Sequence, residues 1–165
     1  MKLNLIGLIS AILAFISIVL PWYSITGIYN EHASLLTIVS TIGTYGGAAA
    51  GVLWFIWVAL ALIIIGALLG LVGSLVIGGR GKSLLTVGGI LVILSPIIFA
   101  IGWVTSPLGS VLPLFGSWTI YNYTLTVFAS FGFFLAFVAA ILMLISTRKH
   151  PMETGAVAPG TPPPP

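Results

Sequence analysis

The sequence predicts an all-α integral membrane protein: a four-transmembrane-helix bundle capped by a small, β-prone extracellular hairpin and loop layer. Three observations carry that expectation. Hydrophobic residues make up 59% of the 165-residue chain and charged residues only 4%, against about a quarter charged in a soluble domain. The apolar residues gather into four long runs free of charge. The only charges between Glu31 and Arg148 are Arg80 and Lys82, in the stretch Gly78-Gly79-Arg80-Gly81-Lys82-Ser83, with apolar runs on both sides. A chain of mean hydropathy +1.27 needs lipid around most of its surface, which excludes a soluble two-domain reading.

Taken in order, residues 3–20 form the first span, because about 20 helical residues cross roughly 30 Å of hydrocarbon. Lys2 gives this run the basic start of a signal peptide. The run exceeds an h-region of about 7–15 residues, and no A-x-A-like site follows, so it reads as a retained helix. Residues 22–50 form an outer loop rich in Thr, Ser, Ile, Tyr and Val. Its segments Trp22 to Tyr29 and Leu35 to Ile42, with a polar break between them, read as a surface hairpin. A short helix from Ser34 to Thr41 is the alternative.

Residues 51–77 form the second span, about 40 Å long as one helix and therefore tilted or protruding. Residues 84–104 form the third, with Pro96 predicting a kink where one backbone hydrogen bond is lost. Residues 105–124 make a second outer loop, whose Ser117 to Tyr123 segment suits a strand added to the first hairpin. Residues 125–145 form the fourth span. The tail, 148–165, ends in Pro-Gly-Thr-Pro-Pro-Pro-Pro. It buries no apolar surface and reads as a disordered, Pro-rich cytoplasmic segment.

Lys2, Arg80, Lys82, Arg148 and Lys149 all fall on one side of this layout, and the positive-inside rule places that side, with both termini, in the cytoplasm of a plasma-membrane protein. Five basic residues so placed match headgroups and orientation signals, and no nucleic acid partner is expected. Trp22, Trp54, Trp57, Trp103 and Trp118, with all five tyrosines, fall on the opposite side and predict an outer aromatic layer packed beneath or within the loops.

Small residues recur at helical spacing. Gly7, Ser10, Ala11, Ala14 and Ser17 share a face of the first span, Ala59, Gly66, Gly70 and Gly73 of the second, and Ala129, Gly132, Ala136 and Ala140 of the fourth. Lipid tails remove the usual hydrophobic drive between helices, so close backbone approach at such stripes governs packing.

Candidates for chemistry fail on their surroundings. Gly81-Lys82-Ser83 resembles the end of a phosphate-binding loop, but Val76 stands where that motif needs glycine, and the flanks are not strand and soluble helix. His32 and His150 lie on opposite sides, so they cannot share a metal. No span carries Asp, Glu, Lys, Arg or His, the residues that intramembrane catalysis and ion coupling ordinarily use. Cysteine is absent, which excludes disulfides, thiolate metal sites and thiol nucleophiles. No cofactor and no enzymatic activity are expected. Asn122-Tyr123-Thr124 is an N-glycosylation sequon, expected to lie hard against the fourth span. Glu31 and His32 are the only strongly ionisable groups outside, and such a surface changes little with pH below neutrality.

Four spans, both ends inside and a larger β-prone first loop give a layout that resembles claudin-type tetraspan proteins. Their first loop carries a W…GLW…C…C signature. This chain has no cysteine and no Gly-Leu-Trp, so no residue role is transferred from them. The expectation for function is a non-enzymatic accessory or structural subunit of a membrane assembly, or a homo-oligomer. Its partners would be membrane lipids, other membrane subunits or itself, and an external component at the outer loops. A passive channel between protomers, lined by Ser, Thr and Gly, is the first alternative, and a quinone-site or anchor subunit of a redox complex the second.

Overall fold

The computed structural model describes residues 3–27, 30–45, 53–107, 109, 113–120 and 122–149. Among these the chain is mostly helical, with five α-helices and one small sheet. In chain order the elements are α1 (Leu5–Val19), β1 (Pro21–Thr26), β2 (Glu31–Ser34), α2 (Leu35–Tyr45) and α3 (Trp54–Leu75). Then come α4 (Gly79–Thr105), β3 (Gly116–Ile120), β4 (Tyr123–Ala129), α5 (Phe131–Ser146) and a 3-10 turn, Thr147–Lys149. Helices α3 and α4 are each long and apolar enough to cross a membrane, while α1 and α5 are apolar but shorter, at 15 and 16 residues.

α3 and α4 share the most extensive contact, and α1 and α5 close a ring by packing on each other and on α3 and α4 respectively. The seam between α3 and α4 is set by glycine. A Cβ on Gly66 would stand 2.7 Å from the Gly88 carbonyl oxygen, and one on Gly88 would stand 2.6 Å from that of Gly66. Backbone meets backbone there, a distance no larger residue permits. The same holds near the turn, where a Cβ on Gly73 would lie 2.8 Å from the Gly81 oxygen.

That close approach corrects the sequence reading of the basic stretch. Arg80 and Lys82 do not sit in a loop: the turn narrows to residues 76–78, Gly78 takes it at φ 89°, and α4 already begins at Gly79. A positive φ of this size costs a glycine little and other residues more. α4 then continues as helix through Pro96. Ser95, beside it, donates its hydroxyl to the Ala59 carbonyl of α3 at 2.7 Å.

The sheet is antiparallel, in the order β2-β1-β4-β3. Two expectations are corrected here. Residues 35–45 are helix α2, not the second strand of a hairpin. Ser34 accepts the Thr37 amide at 3.1 Å, a helix N-cap, and Leu35 and Val39 turn inward with Ile38 half-buried, a spacing of three and four rather than two. Residues 125–129 belong to strand β4, not to the fourth helix. Val127 and Ala129 are buried with Phe128 half-buried between them, the alternation of a strand, and β4 pairs with both β1 and β3. The expected extra strand exists, but it joins the first hairpin through β4.

Candidate functional site

The two ends of the helix ring differ in construction. At one end meet the start of α1, the end of α3, the start of α4 and the end of α5. Asn4, 5% exposed, ties three of them. Its Oδ1 accepts the Gly7 amide at 3.0 Å, its Nδ2 donates to the Ser146 carbonyl at 3.0 Å, and its own amide donates to the Ser74 carbonyl at 3.1 Å. One side chain thus caps α1 and satisfies a terminal carbonyl of α5, groups that otherwise lack partners at helix ends. Arg80 and Lys82 are exposed in the first turns of α4, and Arg148 is exposed just past α5, at this same end. The backbone of Lys149 follows in the same 3-10 turn. Lys2 and the tail from 150 onward lie outside the described residues.

At the opposite end the sheet sits on a cluster of rings. Trp22, in β1, is fully buried and stands edge-on to Phe99 and Phe133, with centroids at 5.3 and 5.8 Å. Phe99 also packs against Phe55 at 6.2 Å and Trp103 at 5.4 Å, and Trp103 against Tyr23 at 4.6 Å. These separations are those of attractive aromatic pairs. The Trp22 Nε1–H donates to the Ser17 carbonyl at 2.6 Å, so the indole also closes the last turn of α1. Gly132 makes room for it: a Cβ there would lie 2.6 Å from the ring and from the Leu20 oxygen. Tyr23 donates to the Pro113 carbonyl at 3.4 Å.

The expected aromatic layer therefore divides. Trp22 and Trp103 lie within the ring cluster, whereas Trp54 and Trp57, 58% and 47% exposed, face outward on α3. Trp118 has its backbone in β3, and nothing further is described for it. Phe55, Phe99 and Phe133 escaped the sequence reading as members of this cluster. Their helical spacing marks an apolar helix but not which rings converge. The expected small-residue positions Gly7, Ala11, Ala14, Gly66, Gly70, Gly73, Gly132, Ala136 and Ala140 are all buried inside the chain. Asn122 occupies the turn between β3 and β4, exposed, at φ 69°. That corrects its expected position against the fourth helix, since the whole of β4 lies between.

Every described buried side-chain nitrogen or oxygen has a hydrogen-bond partner. Ser10, Ser17, Ser74 and Ser146 donate to carbonyls one turn back in their own helices, and Ser95 crosses between helices. The interior hydroxyls are thus committed to the protein itself. Beside the ring cluster, an apolar cavity of about 250 Å³ lies between α2 and the sheet-side ends of α3 and α4, lined by Thr37, Ile38, Leu53, Ile56 and Trp103 among others.

What fold and site define together is a mostly helical protein with two helices able to span a membrane and an aromatic-backed sheet at one end. Compared with protein-family models, curated proteins and solved structures, the chain matches none.

Proposed function

We propose that the protein is a non-enzymatic, multi-pass membrane protein. In this reading α1, α3, α4 and α5 cross the bilayer together, and the sheet-bearing end, outside the cell, is the surface through which it joins a membrane assembly or a second copy of itself. The observation that carries this reading is an inside-out distribution of side chains. Exposed positions along the helices are large and apolar: Leu5, Ile9, Ile12 and Ile16 on α1, Ile65, Leu68 and Val72 on α3, Ile90, Ile97 and Ile101 on α4, Phe134, Val138 and Ile141 on α5. Most buried positions are glycine, alanine and serine, with Phe55, Phe99, Trp103 and Phe133 gathered beneath the sheet. Water reverses that arrangement; lipid favours it.

At 1.5 Å per residue α1 and α5 reach only about 23 Å. The bases of β1 and β4 continue them directly, with Trp22, Tyr23, Val127 and Ala129 buried. Sheet pairing satisfies the backbone there, as lipid requires. The basic side chains at the Asn4 end support a cytoplasmic position for that end, by the positive-inside rule.

The small-residue stripes are consumed within the chain, so they leave no face for other subunits. Ser83 and Thr105 put hydroxyls only at the two ends of the exposed α4 face, and its exposed positions from Val87 to Val104 are all apolar, which disfavours a polar pore between protomers. What is left for a partner is the outer end, where Phe115 and Tyr123 are each 57% exposed and β2 and β3 form the two edges of the sheet among the described residues.

Purification in gentle detergent tests the reading. A second polypeptide at constant stoichiometry, or a defined homo-oligomer, lost when Phe115 and Tyr123 are both changed to Ser, is the expected result. A monomer that retains no partner overturns the assembly role, and recovery of folded protein from the soluble fraction overturns the membrane placement.

A further inference from the structure

We propose that Asn122 is an acceptor for N-linked oligosaccharide. The inference rests on the reading above, which puts the sheet end outside the cell. The sequon Asn122-Tyr123-Thr124 is short, and such motifs recur by chance; its surroundings give it weight. The residue sits at the tip of the β3–β4 hairpin, and β4 runs back from it for seven residues before α5 begins. At about 3.3 Å per strand residue the acceptor stands roughly 20 Å beyond the start of that helix. Asn122, Tyr123 and Thr124 are all exposed, while burial sets in only toward the base of the strand, at Val127 and Ala129.

No other described residue holds the Asn122 side chain, and the Thr124 hydroxyl meets only that of Thr119, across the strand pair at 3.3 Å. The turn itself explains an asparagine only in part: φ 69° favours glycine or asparagine equally well, and it sets no requirement for a hydroxyl two residues on.

The transfer is a substitution at the anomeric carbon of a polyprenyl-phosphate-linked oligosaccharide. The Asn122 Nδ2 forms the new C–N bond as the bond from sugar C1 to the phosphate oxygen breaks. The polyprenyl phosphate leaves as its anion, and one amide proton passes to a base of the transferase. No oxidant or reductant enters.

The test is the mass of the full chain, and of its Asn122 peptide, purified from the cells that naturally make it. We expect a sugar-derived mass increment on that peptide. Thr124→Ala should abolish the increment, Thr124→Ser should keep it, and Asn122→Gly, which suits the turn, should remove it without loss of folding. An unmodified Asn122 peptide overturns the inference. A cysteine at Ser117, in a chain with none of its own, separates the causes. Labelling from outside with no glycan sinks the glycan alone, and labelling only after permeabilisation sinks the orientation with it.

Discussion

The Asn4 end and the Trp22 end hold the same four helices together by opposite means. At the first, one amide side chain and a few backbone groups set the helices in register through directional bonds, and glycines let α3 and α4 touch. At the second, rings fill the space between helices and sheet, and the Trp22 indole N–H ties β1 to the last turn of α1. The difference teaches what each end is for. The glycine and amide end is packed tightly at Gly7 and Gly73 and brings together the turn between α3 and α4, the start of α1 and the end of α5. The aromatic end presents a broad platform on which a sheet can be mounted.

The comparison breaks first at Trp22. Trp22→Ala should cost about 3–5 kcal/mol, the usual range for emptying a large aromatic site, measured by thermal unfolding in detergent. Hydrogen exchange should rise in β1 and β4 while amides near Asn4 stay protected; equal loss at both ends would mean the ends are not separate devices. Trp22→Phe, keeping a ring and losing the Ser17 bond, should cost about 1 kcal/mol beyond the lost ring area.

Gly66→Ala should follow, at about 1–3 kcal/mol, because the new methyl meets the Gly88 carbonyl rather than a side chain that can move. An unchanged unfolding temperature would show that α3 and α4 are not held at backbone contact. Asn4→Ala should cost about 1–3 kcal/mol, the range for stranding buried backbone groups. Its signature is exchange confined to the ends of α1 and α5, and a uniform effect would contradict the local clasp.

The smallest expected effect is at Tyr23. Tyr23→Phe, which removes the bond to the Pro113 carbonyl, should cost about 1 kcal/mol or less in thermal unfolding; a loss as large as that of Trp22→Ala would show that this bond, and not the ring cluster, holds the sheet in place.

Hydropathy located the apolar helices because length and composition alone decide that property. It could not find the end of β4, since Leu125 to Ala129 is as apolar as the helix that follows, and only alternate burial separates them. Leu35–Tyr45 carried its own correction in the Ser34 cap and the spacing of Leu35, Ile38 and Val39, but its Thr, Ile and Val content points to strand. The start of α4 was hidden by its glycines, which signal a turn locally and serve a helix contact in the fold. Of the site, the presence of tryptophans on one side was legible. The convergence of Trp22, Phe99 and Phe133, and the bond from Asn4 to Ser146 across 142 positions, depend on tertiary structure that no local pattern encodes.

The proposed membrane orientation is tested most directly by two single-cysteine variants in intact cells, Ser83→Cys at the basic end and Ser117→Cys on the sheet, both positions being exposed. A membrane-impermeant thiol reagent should label the Ser117 variant from outside and reach the Ser83 variant only after the membrane is opened. Labelling of the Ser83 variant in sealed cells, or equal labelling of both, would contradict a bilayer lying between the two ends.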